Sequence, residues 1–335
     1  MTAAFEPARS LLTLALAAAA VLAPVVSASA QDFPLTIEHK FGTTVIEEQP
    51  ERVATVDGNG ADNILALGIQ PVTIENWYGD YENGLWPWAS PLLTSEPVML
   101  ERGDLNFELI AAAQPDVILS LYNALTPEEY EKLSLIAPVV PVPEGRGDWS
   151  LTWEERAHFT GLATGKLTEA DAQIDAINAR AEEIAAAHPE WAGKTALIAW
   201  ISRDGQLGLY SSHDARQQLL IQLGFQTPDA VDALDAAGTA SVNLSEEAID
   251  LMNVDLLVWI DGDGDVSPII DLPVRRFIEP HLNGQEVVFT KEVTGAFSYG
   301  SLLSMPYALD RLETAIEAAL DGDPETFADD RPDNW

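Results

Sequence analysis

Cysteine is absent from this chain of 335 residues. That absence excludes a disulfide framework, a thiolate metal site and a lipid-modified N-terminal cysteine. Histidine is scarce. His39, His158, His188, His213 and His281 are scattered with no pair at i,i+4, so a zinc site would need distant segments. Basic residues are few: 17 lysines and arginines face 54 acids, a formal net charge of −37. A field of that sign repels phosphate backbones, so neither nucleic acid nor anionic lipid is an expected partner. Most of the acids read as a solvated surface, leaving a few to dock a basic partner.

Catalytic signatures are missing too. There is no G-x-S-x-G elbow, no P-loop, no H-E-x-x-H and no G-x-G-x-x-G. Asp57-Gly58-Asn59-Gly60 lacks pyrophosphate spacing and reads as a tight strand-to-helix turn. Asp261-Gly262-Asp263-Gly264-Asp265 invites a calcium reading, but Val266 and Leu272 stand where an EF-hand loop needs Gly and Glu. The chain is therefore expected not to be an enzyme, and to carry no metal ligands or cofactor of its own.

Long apolar runs are limited to one, at the N-terminus. Arg9 precedes Leu11 to Val26, a run broken by Pro24, and Ala28-Ser29-Ala30 follows with small-x-small character. A spanning helix wants about 20 apolar residues, so residues 1–30 read as a signal peptide cleaved after about Ala30. The expectation is export to a periplasm without a lipid anchor.

What the chain does have is alternation. Apolar runs at Arg52–Val56, Gln70–Ile74, Asp116–Ser120 and Val139–Val142 alternate with amphipathic stretches, as in βαβ units. Trp149–Leu162 and Glu169–His188 then read as helices, the second with Ile174, Ile177, Ala181 and Ile184 on one stripe. Alternation resumes from Thr195 to the end. The expected fold is α/β: two βα-type lobes, 32–148 and 193–335, joined by a long, rigid helical linker at 149–192. A ligand cleft lies between them, lined by loops at the carboxyl ends of strands.

Aromatics concentrate on those loops: Trp77, Tyr78, Trp86 and Trp88 after one strand, Tyr122 after another. Trp200 and Trp259 end strands of the second lobe, and Tyr299 falls in a late loop. Arg102, Arg146 and Arg203 are scarce cations on rim loops, suited to an anionic or oxygen-rich ligand.

Several ordered pieces carry a resemblance. They are His39-Lys40-Phe41-Gly42-Thr43-Thr44, Gln49-Pro50-Glu51-Arg52-Val53, Ala66-Leu67-Gly68-Ile69-Gln70-Pro71-Val72, Asn106-Phe107-Glu108-Leu109-Ile110, Gln114-Pro115-Asp116-Val117-Ile118, Leu133-Ser134-Leu135-Ile136-Ala137-Pro138, Leu223-Gly224-Phe225 and Leu244-Ser245-Glu246-Glu247. In this order the chain resembles the substrate-binding proteins of ABC importers for ferric siderophores, haem and cobalamin. The resemblance implies capture of a ferric siderophore, which holds the iron itself, by a monomer that delivers it to an inner-membrane ABC permease dimer. It implies ligand contacts at Trp77, Tyr78, Arg102, Tyr122, Trp200, Arg203, Trp259 and Tyr299, with Glu101 competing with Arg102 to face the ligand. It also implies that Glu108 and Glu247, one per lobe, dock arginines of the permease. The alternatives are haem or cobalamin capture and, from other classes, an exported α/β enzyme or a scaffold with an empty cleft.

Overall fold

The strands of the first lobe are short, and several are buried on both faces, as parallel sheets require. The computed structural model describes residue 1 and residues 32–326, apart from 104, 203, 236, 237, 261–264, 290, 324 and the side chain of residue 246. The expected signal peptide, Arg203 and the Asp261–Gly264 turn therefore lie outside the described residues.

An antiparallel hairpin, β1 (Leu35–His39) and β2 (Gly42–Ile46), opens the lobe. It is followed by β3 (Val53–Thr55), α1 (Gly60–Ala66), β4 (Thr73–Asn76), β5 (Val98–Glu101), α2 (Phe107–Ala112), β6 (Val117–Ser120), α3 (Pro127–Ser134) and β7 (Val139–Pro141). The sheet order is β5-β4-β3-β6-β7 with every pairing parallel. Strand order reverses between β3 and β6, and such a switch point opens a crevice beyond the carboxyl ends.

The linker consists of two consecutive helices, α4 (Trp153–Thr164) and α5 (Leu167–Ala187). Thr152 starts α4 through a reciprocal capping box with Glu155, and left-handed Gly165 stops it. The apolar stripe of α5 is buried where the spacing places it: Ile174, Ile177, Ala181 and Ile184 all lie in the largest core. Each buried isoleucine contributes roughly 1.5–3 kcal/mol before entropy is counted. Because that core also holds Leu312 and Ile316, α5 is fixed to the second lobe. Gln173 also donates to the Ala66 carbonyl of α1, so the linker touches both lobes.

The second lobe contains β8 (Ala196–Ile201), β9 (Leu207–Tyr210), α6 (Ala215–Gln222), α7 (Asp229–Leu234), β10 (Ser241–Leu244), β11 (Leu256–Ile260), α8 (Ser267–Ile270), α9 (Glu279–Asn283), β12 (Glu286–Val288), α10 (Lys291–Tyr299) and α11 (Ser304–Ala319). Its sheet order is β10-β9-β8-β11-β12; β8, β11 and β12 run parallel, while β9 and β10 pair antiparallel at one edge. Tyr299 ends α10, so the expected late loop is the last turn of a helix. Among the described residues no helix is long and apolar enough to cross a membrane.

Candidate functional site

The carboxyl ends of β3, β4, β5 and β6 lead directly to Asp57, Trp77, Arg102 and Tyr122. Parallel register brings these ends to one edge of the sheet, and the other lobe meets that edge. Trp77 stands edge-on to Tyr78 at 4.7 Å between ring centroids and toward Tyr122 at 6.5 Å. Close approach requires Gly58, since a Cβ there would overlap the Trp77 indole. Trp86 and Trp88 stack at 5.0 Å behind them.

Tyr299 enters this cluster from the opposite lobe. Its ring contacts Trp77, Tyr78, Trp86 and Trp88 at 5.1–5.7 Å and is 1% exposed. It therefore fills the junction between the lobes instead of lining open space.

Polar groups fasten the same junction. Asn59 Nδ2 donates to the Tyr299 carbonyl at 2.8 Å, and Ser301 Oγ donates to Asp62 Oδ2 at 2.7 Å. Trp88 Nε1 donates to the same Asp62 oxygen at 2.8 Å, and the Leu302 amide donates to Asn63 Oδ1 at 2.9 Å. From α4, Arg156 Nη2 donates to the carbonyls of Tyr299 at 3.1 Å and Gly300 at 2.7 Å. Further along, Tyr81 Oη donates to Glu292 Oε1 and Lys291 Nζ to the Gly79 carbonyl, both at 2.7 Å.

Two buried aspartates sit under this junction. Burial pushes the Asp57 carboxyl up to about 7; the Leu121 and Tyr122 amides and Arg156 oppose the rise, while Glu75 adds to it. Burial likewise raises Asp62 to about 6 against the Ser301 and Trp88 hydrogen bonds and the Arg156 charge. Asp57 accepts the Leu121 amide at 2.6 Å. Burial lowers the pKa of Arg156, against the stabilising influence of Tyr122, over whose ring its guanidinium lies at 4.2 Å.

The facing lobe supplies a cation that the sequence pattern did not reveal. Arg216, at the start of α6, grips Asp214 with Nε and Nη2, both at 2.7 Å, and lies 3.9 Å over the Tyr210 ring. Burial opposes its charge, but the Asp214 fork wins and holds the guanidinium protonated. The Arg216 charge is felt at Tyr78 and Tyr122 of the other lobe. Its sequence signal was a scarce arginine two residues after a helix-capping aspartate. Arg156 was hidden differently, as an arginine on the otherwise buried face of a presumed linker helix.

Not every expected residue packs into the aromatic cluster. Arg102 is exposed just beyond β5, and its charge helps hold down the Glu75 carboxyl, which burial pushes up. Trp200 is half-buried with its indole laid against Gly208 of the neighbouring strand. Trp259 corrects the expectation for its position: its side chain is 0% exposed in the core beneath β11, and Nε1 donates to Glu286 Oε1 at 2.7 Å. An indole on the inward face of a central strand ends in the core, whatever its distance from the strand terminus. Rim residue Arg146 is occupied by Glu155 and the Ser150 carbonyl. Glu108 lies exposed in the first turn of α2, and Glu247 lies exposed on the second lobe. Among the described residues no group of three or more His, Asp or Glu side chains is placed to hold a metal ion.

Residues 53–271 match the family model described as periplasmic binding protein. Among characterised proteins, the ferric-anguibactin-binding protein FatB of Vibrio anguillarum is 24% identical over 293 residues, covering 83% of this chain and 86% of FatB. Among solved structures, a periplasmic solute binding protein from Mycobacterium smegmatis is 28% identical with a TM-score of 0.75, covering 85% of this chain and 98% of that one. PiaA of Streptococcus pneumoniae, solved in complex with ferrichrome, is 28% identical with a TM-score of 0.70, covering 86% of this chain and 99% of PiaA.

Proposed function

Because the chain belongs to the periplasmic binding protein family, whose members bind rather than catalyse, we propose that it captures a ferric siderophore between its lobes and delivers it to an inner-membrane ABC importer. The observation that carries this reading is the aromatic cluster in which Trp77, Tyr78 and Tyr122 of one lobe meet Tyr299 of the other, with the Arg216 charge of that lobe felt at Tyr78 and Tyr122. Aromatic walls with a few directed charges suit a bulky, oxygen-rich chelate far better than a bare ion. FatB is named for a ferric siderophore, and PiaA, an iron uptake ABC transporter substrate-binding protein, was solved with ferrichrome. Both support the iron-chelate class without selecting a chelator.

In this reading Trp77, Tyr78, Arg102, Tyr122 and Trp200 contact the ligand together with Arg216, while Tyr299 supports the aromatic wall from its packed position. Export to the periplasm belongs to the same proposal and agrees with the family. Glu108 and Glu247, exposed on opposite lobes, dock the permease through charge-assisted pairs. Uptake tests the proposal: cells lacking this chain should lose import of radio-iron-labelled siderophore and regain it when the chain is restored. Undiminished import of every siderophore in its absence would sink it.

A further inference from the structure

Trp149 stands at the junction of the first lobe and the linker in a left-handed backbone conformation, with φ 62°. That region disfavours a bulky side chain and costs free energy wherever one is held there. Burial does not repay the cost, because Trp149 remains 50% exposed.

The segment around it is fastened on both sides. Ser150 Oγ donates to the Gly147 carbonyl at 2.7 Å, and Arg146 Nη2 donates to the Ser150 carbonyl at 2.9 Å and to Glu155 Oε2 at 2.7 Å. Lys40 pairs with Asp148, Leu151 is buried, and Thr152 begins α4 with its capping box. The strained backbone of Trp149 is thus held by its surroundings, and its ring rests against Tyr122.

That position is at the rim of the cleft. The indole meets Tyr122 edge-on, with centroids 5.1 Å apart and planes at 85°. Tyr122 in turn carries the Arg156 guanidinium and faces Trp77. Trp149, Tyr122 and Trp77 thus form a row running inward from the linker, each ring edge-on to the next. The exposed indole extends this row outward.

We propose that Trp149 is a ligand contact supplied by the linker, and that the row it completes selects iron chelates bearing aryl groups on their periphery. Ring edges and faces alternate along such a row, and they pair with arenes through offset and edge-to-face contacts that an aliphatic chelator cannot reproduce. The partly exposed Arg216 guanidinium, which lies over the Tyr210 ring, would add a cation–π partner for the same arenes. This rests on the reading of the chain as an iron-chelate receptor.

The test titrates the wild type, Trp149→Gly and Trp149→Phe calorimetrically with three probes: ferric tris-catecholate, ferric citrate and a ferric trihydroxamate. Thermal unfolding of each variant is followed alongside. Trp149→Gly should weaken catecholate binding by about tenfold or more, and any aryl-free chelate that binds by no more than about threefold. Its melting temperature should hold or rise, since glycine tolerates the left-handed conformation. Trp149→Phe should keep most of the catecholate affinity. Equal losses on all chelates, or unchanged catecholate binding by Trp149→Gly, would overturn the proposal. Wild type that binds only aryl-free chelates would overturn it while leaving iron-chelate capture intact. Wild type that binds none of the three would count against both.

Discussion

The side-chain amide of Asn59 donates to the backbone carbonyl of Tyr299 at 2.8 Å, across a separation of 240 positions. Arg156 of the linker donates to the same carbonyl. One acceptor of the second lobe is therefore shared by a donor from the first lobe and a donor from the helix that joins them. Asp62 with Ser301 and Asn63 with Leu302 repeat the arrangement one step away. The lobes are tied at this junction, and α5 is built into one core while touching the other lobe.

Asn59→Ala should remove the shared contact and cost about 1–2 kcal/mol of stability, the loss expected for a buried hydrogen bond. Amide exchange at Leu302 and its neighbours should quicken, because that strip of backbone is what the first lobe grips. Exchange there that matches the wild type would show that the lobes are held elsewhere.

Asp57→Asn gives a pH-dependent result of known sign. Burial raises the folded-state pKa of Asp57 from 3.8 to about 7 and that of Asp62 from 3.8 to about 6. The folded chain holds these protons more tightly than the unfolded one. The stability they contribute is complete below 3.8 and is lost as pH rises through about 6 and then about 7. Asparagine can still accept the Leu121 amide without ever ionising. Urea unfolding should therefore favour Asp57→Asn over the wild type by roughly 2–4 kcal/mol more at about pH 8 than at about pH 4. A difference that stays constant with pH would refute the assignment.

Trp259→Phe should separate a packing role from a ligand role. The variant loses the hydrogen bond to Glu286 and leaves a small cavity, so stability should fall by about 1–3 kcal/mol. Glu286 keeps Arg275 and His281 as partners, so the carboxylate is not stranded. Chelate affinity should be unchanged. A large affinity loss with normal stability would return Trp259 to the cleft.

Glu108→Ala combined with Glu247→Ala should abolish uptake and leave chelate binding intact, since both side chains lie on the outer surface. Each single variant should show an intermediate transport defect. Full transport by the double variant would reject the docking role.

The parallel strands were legible because runs such as Val117–Ser120 are apolar on both faces and bounded by helix signals. The α5 stripe was legible because the spacing of its isoleucines admits only one buried face. The antiparallel strands β9 and β10 were not: four residues each, with Gly208 in one and Asn243 in the other, offer no alternation to read. Within the site, strand-end residues Trp77 and Tyr122 could be placed from sequence, because a residue just past a parallel strand must emerge at the carboxyl edge of the sheet. Arg156 and Tyr299 could not, because what they do depends on how the lobes meet. Trp259 misled for a related reason, as nothing local distinguishes the inward face of β11 from a rim.

The most direct test of the receptor reading is a titration of the signal-free chain with ferric catecholate, ferric hydroxamate, ferric citrate, haem and cobalamin, followed by tryptophan fluorescence. Trp77 and Trp149 flank Tyr122, so a chelate seated there should quench the emission. Iron-chelate capture predicts saturable quenching with a single stoichiometric endpoint for at least one ferric siderophore. A response confined to haem or cobalamin, or no saturable response at all, would contradict it.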